Sequence, residues 1–413
     1  MNAAALMSVP SLVTTRTVGE TAVALRTLQA ELNDLFPERE TLITLLGYGL
    51  LTREHLLVFG KFGTGKSRLA EFFFGAFADA ELFSLELTKF MTESNVVGIP
   101  NPKVLREEGR IWHERGGTML DADFVELDEF FDANDLLLRV LLGILNERRF
   151  KRGKQFERAK LHMALASTNG LPEAEVKRSP QLGAVIDRFL FQTQVNYLTG
   201  DDSRRRMYTK YLEGARVETH IPFNDVLALT RAVQDVRIED PILIELHNQI
   251  VQGTQKKLDR VFSDRRACQA LKLAQANALL YGRDEVLPDD FMAVQWALTF
   301  GHDTQAHDAF KSVAETLIAK AVGERKPDIV RTQMQLIDEF ERRIPPAISK
   351  DRTEPPTSEE LVTLRRTLSA LEGELKAMKT GHATIEDRRT ALVQKVTHLN
   401  ADVGAHIDGR TAA

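Results

Sequence analysis

Gly60-Lys61-Phe62-Gly63-Thr64-Gly65-Lys66-Ser67 matches the phosphate-binding pattern G-x-x-x-x-G-K-[ST], and its flanks decide how the chain folds. His55–Phe59 (HLLVF) reads as a buried strand, and Ser67–Phe72 (SRLAEF) opens a helix. Strand, loop and helix in that order are the context a phosphate loop requires. Glycines let the backbone curl until successive N–H groups face phosphate oxygens, and the helix N-terminus adds a favourable field. In that geometry Lys66 reaches the β- and γ-phosphates, the Ser67 hydroxyl binds Mg2+, and the loop with Arg68 cradles the nucleotide. With glycine at ~7% of average composition, a chance match is roughly a one-percent event. The loop predicts a bound nucleoside triphosphate.

The chain has 413 residues, 43% of them hydrophobic, enough for two or three domains around sizeable cores. A net charge of −5 gives no global pull toward nucleic acid or an anionic membrane. The single cysteine, Cys268, excludes a disulfide framework and fits a reducing compartment. Its apolar helical setting predicts a small buried side chain rather than a nucleophile. The first twenty residues lack a basic segment followed by a sustained apolar stretch, and no uncharged apolar run reaches the ~18 residues of a membrane helix. The expectation is a cytoplasmic protein that is not inserted in a membrane.

Residues 1–18 are small and polar and read as a mobile N-terminus. Leu25, Leu28, Leu32 and Leu35, then Leu42, Leu45 and Leu46, predict two helices before the first strand. Four further apolar runs, at 82–87, 124–128, 161–166 and 190–195, alternate with helical or loop material. That alternation predicts an α/β core over 19–198 with a parallel five-stranded sheet. Beyond Thr199-Gly200-Asp201-Asp202 the pattern is helical without strand signal, at 203–213, 222–233, 240–256, 263–281 and 288–300, and predicts an all-α domain over 199–304. Pro222, Pro241 and Pro288 each fall where a first helical turn begins.

The last region, 305–413, is also helical. Lys326-Pro327-Asp328 opens a helix that Pro345-Pro346 stops, and 351–357 reads as a linker. From Leu361 the apolar residues alternate steps of three and four through Leu375 and on toward Val403, a coiled-coil seam. Gly381 at its centre favours an antiparallel hairpin folding at 379–383 over one long helix; the stripe packing on the rest of the chain is the plainer alternative.

Phe124–Glu129 (FVELDE) is a strand ending in two acids. Asp128 can hold the magnesium, and Glu129 can orient or deprotonate an attacking water. Glu126 alternates onto the face of Asp128, where a buried carboxylate predicts a cationic partner. The fourth strand ends in Ser167-Thr168-Asn169, placing the Asn169 amide beside the γ-phosphate to position the lytic water.

The ordered set GKFGTGKS, LDE (127–129), STN (167–169), IDRF (186–189) and SDRR (263–266) resembles the AAA+ ATPases, and within them the MoxR family. Leu145-Asn146-Glu147-Arg148 with Phe150, Leu87-Thr88-Lys89-Phe90 and Glu107-Glu108-Gly109-Arg110 resemble its RavA-like branch. The resemblance covers about residues 25–300. It implies an AAA+ core followed by an all-α lid, ATP as the nucleotide, and a ring, usually hexameric, with ATP between neighbouring subunits. Arg188 then matches the arginine finger acting on the neighbour's nucleotide, with Arg178 as a second candidate. Arg265 matches the lid sensor that touches the γ-phosphate of its own chain, with Arg266 one position away.

Residues 95–119 would form the insert of helix two facing the pore, and Arg148–Lys160, with seven basic residues, a basic hairpin. The hairpin can contact phosphates, although a solvated or acid-paired hairpin is the simpler reading. The C-terminal region carries no recognisable counterpart of the branch's partner-binding module. The resemblance therefore implies an ATP-driven ring chaperone, with a client or adaptor bearing a von Willebrand factor A domain. A nucleic-acid-stimulated, restriction-type motor and a nucleotide-gated assembly scaffold with little turnover are the rival readings.

Overall fold

A computed structural model describes residues 14–109, 112–152, 155–170, 181–214, 216–301, 303–324, 341, 344, 357–377 and 383–411. They fall into two compact units, those within 1–286 and 290–315 in one and those within 287–289 and 316–413 in the other. Most of the N-terminal stretch expected to be mobile lies outside the described residues. At its end Thr15 donates through N and Oγ1 to the Asp225 carboxylate, 2.8 Å in each case.

Helix α1 (Val18–Leu35) starts at a capping box in which Thr17 and Glu20 exchange side-chain-to-backbone hydrogen bonds. Its Leu25, Leu28 and Leu32 are buried, as the apolar spacing demands. Helix α2 (Glu40–Thr52) follows and delivers the chain to β1 (Leu56–Phe59), fully buried along its length. After α3 (Lys66–Gly75) come β2 (Phe77–Ala78), β3 (Leu82–Glu86), α4 (Ser94–Val97), α5 (Pro102–Glu108) and β4 (Phe124–Asp128). Helix α6 (Asp135–Glu147) leads to a hairpin of β5 (Arg149–Arg152) and β6 (Gln155–Arg158), then β7 (Met163–Thr168), α7 (Gln181–Ile186) and β8 (Phe191–Gln194).

The five main strands are all parallel, in the order β3-β4-β7-β1-β8. Phe59 lies level with Thr168 and Gln194, and Leu127 with Ala166, so every strand ends on one common rim. Ligands of open parallel sheets gather at such carboxyl ends. Beneath it Phe124 stacks on Phe74 at 4.8 Å between ring centroids, with Phe77 and Phe223 packed edgewise or tilted around it.

The helical region comprises α8 (Asp201–Leu212), α9 (Phe223–Asp235), α10 (Pro241–Leu258), α11 (Asp264–Leu280), a 3-10 turn at Pro288–Val294, α12 (Gln295–Leu298) and α13 (Thr304–Glu324). Two expectations need correcting here. The region is not free of strand, because β9 (Ile221–Pro222) pairs with β2, and Pro222 closes that bridge as the N-cap of α9. Cys268 is exposed on α11 rather than buried.

In the second unit α14 (Ser358–Ala377) and α15 (Ala383–Thr411) pack antiparallel: Leu375 O meets Arg389, while Ser369 meets Asn400. Leu361, Leu368, Leu371, Leu375, Leu392, Val396 and Val403 form their shared core. The helix expected from Lys326 lies outside the described residues.

Two histidines at the opposite rim were not singled out from sequence. His55 Nε2 bonds Leu145 O at 2.7 Å while its Nδ1 accepts from Ala164 N at 3.0 Å. His162 Nε2 bonds Leu50 O at 2.8 Å. Burial holds both rings neutral, with pKa lowered to about 3. Because the folded value lies below the unfolded ~6.5, this stabilisation is complete above that pH and declines as the pH falls toward 3. Accordingly, the ring resonances of both histidines should not titrate between about pH 8 and 5, and the melting temperature should begin to fall below about pH 6.5. Normal titration of either ring would contradict its placement.

Candidate active site

The glycine loop leaves β1 at a point where a side chain is sterically excluded. A Cβ on Gly60 would sit 2.1 Å from Val195 O, and Gly60 N donates to Thr168 O at 3.1 Å. Gly63 and Gly65 are left-handed, at φ 73° and 83°. Helix α3 then starts at Lys66 with no side-chain cap, leaving first-turn N–H groups for an anion. Lys66 is buried, and its Nζ donates to Gly60 O at 2.7 Å and Lys61 O at 3.2 Å. Burial lowers its pKa, opposed by the charges of Asp128 and Glu129. Ser67 and Arg68 are exposed beside it, with the Arg68 guanidinium 5.0 Å over the Phe72 ring.

Sequence reasoning missed the residues that brace this loop from outside. Buried Arg39 donates through Nη2 to Thr64 O at 3.1 Å and Asn196 O at 2.8 Å, tying the loop to the end of β8. Tyr197 OH donates to Phe62 O at 3.0 Å. Single arginines and tyrosines carry no motif, so no sequence signal marks them.

Asp128 and Glu129 stand where β4 meets the same rim. Asp128 accepts from Ser167 Oγ and, at 3.0 Å, from Glu129 N. Glu129 has φ 51°, which turns its carboxylate off the strand direction, and Asn169 Nδ2 donates to it. Burial, with Asp128 and Asp132 nearby, raises the Glu129 pKa, the direction suited to a proton acceptor. The cation expected for Glu126 is a hydroxyl instead: Ser84 Oγ donates to its carboxylate at 3.0 Å. Burial first, then the charges of Asp128 and Glu71, raises its pKa. A hydroxyl donor thus stands where the ion pair was expected.

A cavity of about 780 Å³ opens directly beside the loop. Pro37 and Arg39 line it from the α1–α2 turn, Thr64 and Gly65 from the loop, and Met207 and Tyr211 from α8. Glu38 holds that wall together by accepting from Thr199 N at 3.0 Å and Gly200 N at 2.9 Å. Those backbone bonds pull its pKa down to about 2. The fastening is therefore intact above about pH 4.5 and is lost as the pH falls toward 2. Glu38→Ala should weaken nucleotide affinity about tenfold, read by titration of a fluorescent nucleotide. Unchanged affinity would separate the cavity from the nucleotide.

The other predicted groups lie away from this rim. Arg188 follows α7, three residues before β8, on the rim where strands begin, and its Nε has no hydrogen-bond partner among the described residues. Arg265 approaches Asn146 Oδ1 at 3.5 Å and adds its charge to His55 and Arg148, which places it on the starting rim too. One strand of four residues, ~13 Å, separates that rim from the phosphate loop. In this arrangement Arg265 does not stand beside its own chain's phosphate loop. Arg266, one position away, is buried and donates to Phe189 O, Leu190 O and Ala297 O. Arg178 lies outside the described residues.

Phosphate loop, paired acids and polar strand end on one rim of this sheet define a P-loop nucleotide-binding domain with a helical lid. Comparisons narrow the class. Residues 23–225 match the MoxR domain of the MoxR–vWA–β-propeller ternary systems, and residues 240–305 match an AAA lid domain. The nucleotide-binding domain is thus that of a MoxR-family AAA+ ATPase. Two uncharacterized proteins of Methanocaldococcus jannaschii are 29% and 28% identical over 268 and 270 residues, or 64% of this chain and 67% and 69% of theirs. Uncharacterized protein YeaC of Bacillus subtilis is 25% identical over 296 residues, 69% of this chain and 89% of its own. The crystal structure of a candidate ATPase from Cytophaga hutchinsonii shares the fold, with TM-score 0.54 and 19% identity over 73% of this chain and 96% of that one. No helix among the described residues is long and apolar enough to cross a membrane.

Proposed function

We propose that this chain is a Mg2+-dependent ATPase of the cytoplasm that assembles into a ring, hexameric by family likeness, and remodels or activates a protein client. Its chemistry divides between a core over 19–198, a lid over 199–304 and the helical region after them. One observation carries the reading: the phosphate loop and acids occupy one rim, while Arg188 stands on the other with Nε unpartnered. A site so divided is completed by a second copy.

The donor set at the nucleotide fits magnesium, a hard cation that takes oxygen ligands. Ser67 and Asp128 would hold it, and when bound it neutralises charge on the β- and γ-phosphate oxygens. Lys66 and the loop amides grip the phosphates; Glu129, oriented by Asn169, aligns water and accepts its proton. Arg188 from the neighbour meets the charge that develops in the transition state. The lid, through Arg265, reports on a neighbour's site rather than its own.

The family match supports a partner with a von Willebrand factor A domain, because its MoxR domains come from systems that pair with one. The likeness of Leu145–Phe150 to the RavA-like branch stays part of the proposal. Turnover per chain, measured across protein concentration, tests the ring: it should rise steeply on assembly. Constant turnover per chain in dilute monomer would sink the divided site. Affinity purification of Glu129→Gln with ATP tests the partner, and recovery of no von Willebrand factor A protein would count against it.

A further inference from the structure

The β5–β6 hairpin sorts its residues by face. Pairing sets Arg149 opposite Arg158 and Lys151 opposite Phe156, and directly opposed residues share a face. Those four are exposed, Phe156 by 54%. The alternate residues Phe150 and Glu157 are buried on the inner face, where Glu157 Oε1 lies 2.7 Å from His113 Nδ1. Arg115 Nη2 adds a bond to Arg158 O at 2.6 Å. The one acid of the hairpin is thereby turned inward, leaving three cations around an exposed ring outside. Among neighbouring acids, Glu147 reaches Arg149 at 3.1 Å, and Asp121 meets Lys160 at 3.1 Å beyond the hairpin.

We infer that this outer face binds single-stranded nucleic acid, with Phe156 as the platform for a base and Arg149, Lys151 and Arg158 as contacts to its phosphates. An acidic peptide matches the cations but has no use for a wet aromatic ring. A single strand offers both anions and π-faces, whereas a duplex keeps its bases inside the stack. The Arg149 guanidinium already lies 5.6 Å from the Phe156 ring centre, which props one side of the ring and leaves the other for a base. The buried inner contacts hold the platform rigid before binding, which lowers the cost of ordering it. The proposal is independent of the protein-client reading.

Fluorescence anisotropy of labelled oligo-dT and oligo-U, with polyglutamate as competitor, tests it. Binding to either strand should weaken roughly 40-fold between about 50 and 300 mM salt for three neutralised phosphates. Phe156→Ala should weaken binding about fivefold or more, Phe156→Tyr should retain it, and Lys151→Glu with Arg158→Glu should abolish it. Basal ATP turnover of the Phe156 variants should be unchanged, and Lys66→Ala should still bind the oligonucleotides. Comparison of the two strands tells DNA from RNA. Absence of binding at low salt, indifference to Phe156→Ala, or equally effective competition by polyglutamate would each overturn the inference.

Discussion

Replacing Arg188 with alanine should lower ATP turnover by about 10³-fold or more while leaving nucleotide affinity nearly unchanged. The guanidinium stands at the beginning of β8, a full strand away from the loop that follows β1, so its own nucleotide loses nothing. In the proposed mechanism it would supply charge stabilisation that exists only in the transition state, which affects kcat rather than binding. Its partly buried setting and unpartnered Nε argue against a simple surface ion pair, whose loss would cost little. Wild-type turnover in an assembled Arg188→Ala protein would remove the residue from the mechanism.

The second large effect is at Glu129. Glu129→Gln keeps size and hydrogen bonding but cannot accept a proton, and should reduce turnover by about 10²- to 10⁴-fold with ATP still bound. Its backbone at φ 51° and the Asn169 amide on its carboxylate fix where that side chain points. Asn169→Ala should therefore give a smaller loss, through orientation alone. The two large predictions combine into one decisive mixture. Arg188→Ala chains keep an intact Glu129, and Glu129→Gln chains keep an intact Arg188, so joining the two inactive proteins should restore part of the activity. A mixture as inactive as its components would mean the two residues do not act across a contact.

Much of this was legible in the sequence because it depends on local rules. The five strand runs, the loop and the acid pair are each written in contiguous residues, and alternating apolar runs and helical stretches specify parallel βα units. The order of strands is a matter of pairing between distant segments, which periodicity does not encode. Arg265 shows the cost: motif position suggested a role in its own site, whereas helix packing put the residue beside Asn146 on the starting rim. Glu126 failed differently. Alternation located it correctly, but a buried carboxyl group can be met by a serine hydroxyl as readily as by a cation, and only neighbours in space decide. The nucleotide cavity was hidden for the same reason, its walls being drawn from the α1–α2 turn and α8, some 170 residues apart.

The parallel register carries a further meaning for how such chains can associate. With the phosphate cradle exported to one rim and Arg188 to the other, a contact that joins them uses one of each and leaves one of each open. Growth of that kind has polarity and halts only when the last chain meets the first; a twofold dimer cannot satisfy both ends. A chain that cannot make the contact on one rim would therefore act as a terminator, whereas one altered only at Arg188 or Glu129 would still join and silence a single site.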